Sequence, residues 1–237
     1  MTPRTPIWKA IATSVRSDIA EGIYGPGDKL PTESALAQRF GVNRHTVRHA
    51  LTALAEDGLV HSRRGAGVFV TTTPTDYPIG RRVRFHQNLR AAGRTPAKKV
   101  LLLETRPAHS AEAEALHLAE GGQVHVYEGL SLAEDRPIAL FRSVFPAERF
   151  PDLLVHLRSD PSVTVALAHF GVVDYIRAST RVNAKLASAT QALHLQIAEH
   201  APILRTIGVN VDPEGQPVEI GHTWFAGDKV TLTLADT

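Results

Sequence analysis

The chain contains no cysteine, which excludes a disulfide framework, thiolate zinc sites and a cysteine nucleophile together. No apolar run approaches the ~18 residues of a membrane span, and the first residues lack the uninterrupted apolar stretch of a secretion signal. A cytoplasmic location is therefore expected. An excess of one charge is nearly missing as well, the formal net charge being +2 over 237 residues. Attraction to a polyanion must then come from where the charges sit. His-Glu-x-x-His, a phosphate-binding glycine loop and a Gly-x-Ser-x-Gly elbow are all absent. The twelve histidines are scattered, with His109, His117, His125, His194 and His200 standing singly. No catalytic residue, metal or cofactor is expected, and the chain does not read as an enzyme. Repeats and low-complexity segments are missing too.

What is present begins with an uneven charge. Residues 1–70 hold nine Lys and Arg against six acids, whereas the remainder holds 17 against 18. Hydrophobic content of 43% and charged content of 21% suit a globular protein with a core in each of two domains.

The N-terminal pattern is helical. Ile7, Ile11, Val15 and Ile19 recur every four residues beside Trp8 and Ala12, and Gly22, Gly25, Pro26 and Gly27 end the stripe. Thr32 is a good N-cap for a second helix with Glu33 in its first turn and Leu36, Ala37 and Phe40 inward. Gly41 suits a left-handed C-terminal position. Asn43 then caps a third helix whose inner face is Val47, Ala50, Leu51 and Leu54. On its other side fall His45, Arg48, His49 and Thr52, flanked by Arg44 and Thr46. Base-capable side chains thus gather at the N-terminal end of an exposed helix, where a recognition helix meets base edges. Leu59–Ser62 and Val68–Val70 read as strands around Arg63-Arg64-Gly65-Ala66-Gly67, a basic hairpin tip able to reach phosphates. The order is that of a winged helix-turn-helix over 1–70.

Residues 71–80, beginning Thr-Thr-Thr-Pro-Thr-Asp-Tyr-Pro, read as an extended linker. Residues 81–237 alternate strand-like and helical runs. The strands are Val100–Glu104, Val124–Leu132, Ile138–Phe145, Val173–Val182, Ile203–Val211, Val218–Phe225 and Val230–Leu234. The helices are Ser110–Leu118, Phe150–Leu157, Val163–Phe170 and Ser188–Ile197, with a shorter pattern at Phe85, Leu89 and Ala92. Hairpin signals at Ala133-Glu-Asp-Arg136 and Asp212-Pro-Glu-Gly215 imply antiparallel pairing, hence an α+β domain.

The stretch Leu30–Val70 resembles the GntR class of bacterial transcription regulators almost position for position. That resemblance implies operator contacts by Glu33, Arg44, Thr46, Arg48, Arg64 and Gly65. His45, included in the same face, stands where many members carry a small polar residue. Residues 80–235 resemble the effector-binding (UTRA-like) domain of the HutC branch, an antiparallel sheet with flanking helices of chorismate-lyase-like kind. The segment "DYPIGRRVRFHQNLRAAGRTP" is similar to phosphonate-metabolism regulators of the PhnF type. The resemblance implies a homodimeric regulator on a palindromic operator, probed by half-sites about one helical turn apart. It also implies a small anionic effector such as a phosphonate, phosphate or organophosphate.

For that effector the sequence offers Arg82, Arg84, Phe85 and His86 at a helix start, where free N–H groups and positive charge favour an anion. Ser131, Arg142 and Glu219 complete the expected set. Alternatives stay open: the arginines after residue 80 could be solvated, Arg142 could pair with Glu128, and Glu219 with Arg205. Two departures from sugar-phosphate-sensing relatives stand out. Gly129 and Ser131 replace arginines, and Phe141 replaces an acid.

Overall fold

A computed structural model describes residues 6–63, 65–71, 74–82, 85, 89–90 and 93–234. Two compact units divide the chain, Met1–Thr73 and Pro74–Thr237.

In the first unit, α1 (Ile7–Ala20), α2 (Glu33–Phe40) and α3 (Arg44–Glu56) precede a hairpin of β1 (Val60–Arg63) and β2 (Gly67–Val70). The caps are those the sequence requires. Thr32 accepts from the Ala35 amide at 3.2 Å, and Asn43 accepts from the Thr46 amide at 2.8 Å. Gly41 takes φ +64° between α2 and α3, a conformation costly for a side-chain-bearing residue. Ile11, Ala12, Val15, Leu36, Val47, Ala50, Leu51 and Leu54 form the buried core. Ile7 departs from the expected stripe, lying in the first turn with 62% of its surface exposed.

In the second unit, six antiparallel strands lie in the order β4-β5-β6-β9-β8-β7: β4 (Pro96–Pro107), β5 (Gln123–Ala133), β6 (Arg136–Pro146), β7 (Ile176–Leu186), β8 (Pro202–Val211) and β9 (Pro217–Ala226). Helices α4 (Ser110–Ala115), α5 (Leu153–Ser159), α6 (Val163–Ala168) and α7 (Ala189–Leu195) flank the sheet. Period-2 alternation sorts β5 and its neighbours into two faces. Val124, Val126, Val144 and Ile220 pack with Leu116 just past α4. Tyr127, Phe141 and Phe145 pack on the other face with Leu153, Leu157 and Leu167 of α5 and α6. Both expected hairpins are present. Glu134 and Asp135 adopt φ of 51° and 62°, the two positive values that a tight two-residue turn demands.

The linker expectation needs correction. Thr75–Pro78 is a strand, β3, paired in parallel with β10 (Val230–Thr233). Tyr77 is buried with Phe225, Ile138 and Leu89, so alternation of Thr75 and Tyr77 inward ties this stretch to the second unit. Composition alone concealed it: Asp76 and Pro78 are poor strand formers, and a run of four residues carries little strand signal without its distant partner.

Candidate functional site

The exposed N-terminal end of α3 is built around Glu33. Arg48 donates to it from Nε at 2.9 Å and from Nη2 at 2.7 Å, and Arg44 lies 3.6 Å away. This fork holds the Glu33 carboxyl below its ordinary pKa, and Glu33 in turn raises the Arg48 guanidinium. The two arginine side chains remain 63% and 56% exposed, so a shared carboxylate aims them without consuming their donors. Thr46 is anchored by Asn43, which accepts from its hydroxyl at 2.9 Å, and His45 is exposed beside it. His49 is not free on this face, for its ring stacks on Trp8 with centroids 4.3 Å apart. In the hairpin, Gly65 has φ +74° and Arg63 lies over the Phe69 ring. Arg64 falls outside the described residues.

The second unit holds a cavity of about 550 Å³ on the α5/α6 side of the sheet. Its floor follows from strand register. Gly129 of β5 faces Phe141 of β6, which faces Thr223 of β9, which faces Thr206 of β8. Two rows along the same face, beyond the Gly208–Gly221 pair, Glu219 faces Asn210, which faces Arg177. Tyr77, Ile79 and Phe85 wall one end. A Cβ on Gly208 would stand 1.9 Å from an Arg177 terminal nitrogen, so only glycine lets that guanidinium lie across the sheet. Arg177 Nε donates to Asn210 Oδ1 at 2.8 Å, and Asn210 Nδ2 donates to Glu219 Oε2 at 2.6 Å.

The expected effector residues are thereby separated. Phe85, Ser131 and Glu219 line this cavity. Arg142 does not: it lies on the opposite face, where Nε donates to Glu128. Arg82 lines a different recess with Pro78, Gly80 and Pro213, and pairs with Asp174. Arg84 and His86 lie outside the described residues. Glu219 is bonded to Asn210 rather than to Arg205, which sits across the sheet beside His222. Burial and the charges of Arg205 and Arg142 depress the His222 pKa there.

Lys98 was missed by the sequence reading, and it lines the cavity. It stands opposite Ser131 in the β4–β5 pairing. Its ammonium lies 4.4 Å from the Phe141 ring centre, 5.5 Å from Tyr127 and 5.6 Å from Phe85. Burial lowers its pKa to about 8, against the opposing pull of the Glu219 carboxylate. Among the described residues, no group of three or more His, Asp and Glu side chains comes together as a metal site. Nor is any described helix long and apolar enough to cross a membrane.

Comparison with known proteins gives matching results for both units. Residues 8–70 match the model of bacterial regulatory proteins, gntR family, and residues 91–231 match the UTRA domain. An HTH-type transcriptional regulator of Rhizobium meliloti is 39% identical over 229 residues, covering 96% of this chain and 94% of that protein. The probable transcriptional regulator PhnF of Escherichia coli is 32% identical over 236 residues, with 96% and 94% covered. The crystal structure of PhnF from Mycobacterium smegmatis superposes with a TM-score of 0.65 at 23% identity, covering 96% of this chain and 99% of that one.

Proposed function

The chain belongs to the GntR family of transcriptional regulators, with a UTRA domain after its helix-turn-helix, and on that premise we propose a homodimeric, ligand-responsive repressor of phosphonate uptake and metabolism genes. The family binds operator DNA through the first unit and an effector through the second. In our reading two copies of α3 address the half-sites of a palindrome in the cytoplasm. Arg44 and Arg48 read bases, and Glu33, His45, Thr46, Arg64 and Gly65 orient them or meet the backbone. The observation that carries this reading is the Glu33-centred arginine pair, exposed at the first turn of α3.

The effector is a small anion, a phosphonate, phosphate or organophosphate, and it occupies the cavity over β5, β6, β8 and β9. The kinship with PhnF of Escherichia coli supports the phosphonate assignment. A sugar-phosphate mode of recognition is disfavoured by Gly129, Ser131 and Phe141. An amine-bearing metabolite is the second reading, favoured by the Glu219 carboxylate, which is only 8% exposed within the cavity. Binding measurements on an operator selected from random DNA, with wild type and Arg44→Ala, test the first half. Specific affinity should fall about ten-fold or more, by the loss of one guanine-type contact, while binding to scrambled DNA changes little. Equal loss on both would falsify base reading by Arg44.

A further inference from the structure

The cavity holds a lysine ammonium that no hydrogen bond or ion pair among the described residues neutralises, the Glu219 carboxylate acting on it through space without forming an ion pair. Among the described residues Lys98 makes no hydrogen bond and no ion pair, and its ammonium meets only the faces of Phe141, Tyr127 and Phe85. Around it lie hydroxyls of similar standing: Ser131, Ser143 and Thr206 are 5%, 6% and 5% exposed, line the same cavity, and have no hydrogen-bond partner among the described residues. Hydroxyls open to a cavity wall, gathered around an ammonium that has no protein acceptor, can be satisfied together by a ligand's oxygens, so the cluster marks a place for a ligand.

We infer that Lys98 is the principal cation for the ligand in this cavity, and that the ligand carries a tetrahedral oxyanion, a phosphonate or a phosphate monoester. This rests on the reading of the cavity as the effector site. Position supports it. Lys98 comes from β4, directly opposite Ser131 on β5, so it delivers positive charge to the place where Ser131 and Gly129 supply none. Geometry supports the headgroup. A planar carboxylate is matched best by an arginine fork, whereas a lysine point charge ringed by separate hydroxyl donors suits an anion with three acceptor oxygens. The aromatic collar attracts the ammonium weakly and places it without competing for those oxygens.

The test uses the full chain and its Lys98→Met variant. Isothermal titration is run with methylphosphonate, glycerol 3-phosphate, inorganic phosphate and acetate. We expect one or more tetrahedral anions to bind wild type and acetate not to, with the pattern telling phosphonate from phosphate ester from free phosphate. Lys98→Met should lose at least ten-fold in affinity for the anion that binds, while its thermal midpoint is not lowered and operator affinity without ligand is retained. Repeating the titration at pH 8.5 in buffers of different ionisation enthalpy gives a signature that a packing role would not produce. Binding to wild type should take up more protons than binding to the variant. If anion affinity and proton uptake survive in Lys98→Met, the assignment of Lys98 is wrong and the effector reading stands. If no oxyanion binds wild type, both fall together.

Discussion

Gly129 and Phe141 are cross-strand partners, and the Phe141 ring comes within 2.8 Å of the point where a Cβ on residue 129 would stand. The missing side chain and the large one are complementary. Phe141 occupies the space over β5, packs edge-on against Tyr127 with centroids 4.8 Å apart, and forms one wall of the Lys98 collar. Two departures from the sugar-phosphate pattern, separate in sequence, are thus one structural exchange.

Gly129→Ala should therefore destabilise the second unit. Its Cβ would also meet the Lys99 carbonyl oxygen at 2.6 Å, and backbone cannot swing aside. A cost of about 1–3 kcal/mol is expected, read as a lower urea midpoint. Adding Phe141→Leu should recover only part of the loss, because the carbonyl clash remains. Full recovery would mean that the ring alone sets the limit.

Lys98 predicts opposite pH trends for stability and binding. Its folded pKa of about 8 lies below the ordinary lysine value of 10.5, so between those values the unfolded chain binds more protons than the folded one. Stability without ligand should rise with pH across that window, relative to Lys98→Met, by roughly 1–3 kcal/mol. The comparison with the variant removes the titration of other groups, including Tyr127, whose pKa burial raises. Anion affinity should fall over the same range, because the ammonium is being lost. Urea melts and titrations from pH 7 to pH 10 read both.

Glu33→Gln should loosen the aim of Arg48 and Arg44 while removing a negative charge from the surface proposed to meet DNA. Affinity for scrambled DNA should rise and the ratio of operator to scrambled affinity should fall several-fold. Competition titrations at fixed salt measure that ratio. An unchanged ratio would mean that the fork seen in the free protein is irrelevant to reading.

Asp18 and Arg39 should respond unequally to mutation. Arg39 Nη1 lies 2.7 Å from Asp18 Oδ2, and the side chains are 43% and 10% exposed respectively. Arg39→Met strands a mostly buried carboxylate between α1 and α2, for a loss of roughly 1–3 kcal/mol. Asp18→Ala leaves Arg39 free to turn toward water and should cost less. Paired thermal melts decide the order.

Local signals carried far in the first unit. Thr32, Gly41 and Asn43 announce their caps and turn through short-range chemistry, and the apolar set of α3 needs no distant partner. The hairpin at Glu134-Asp135 was legible for the same reason. The cavity was not, because it depends on which residues meet across six strands. Arg142 was placed correctly opposite Glu128 as one alternative, yet only sheet register shows that both face away from Phe85 and Glu219. Lys98 escaped because the apolar run that flags β4 begins at Val100, leaving the polar start of the strand to read as loop. Thr75–Pro78 escaped because its partner, β10, lies some 150 residues further on.

A ligand-responsive regulator requires coupling between the cavity and α3, and operator affinity with and without a bound anion measures it directly. Fluorescence anisotropy on the selected operator, at saturating concentration of whichever oxyanion binds, should show a change of about 5-fold or more in wild type. In Lys98→Met the same concentration should leave the affinity where it was. An operator affinity in wild type that is indifferent to every anion that binds would contradict the account.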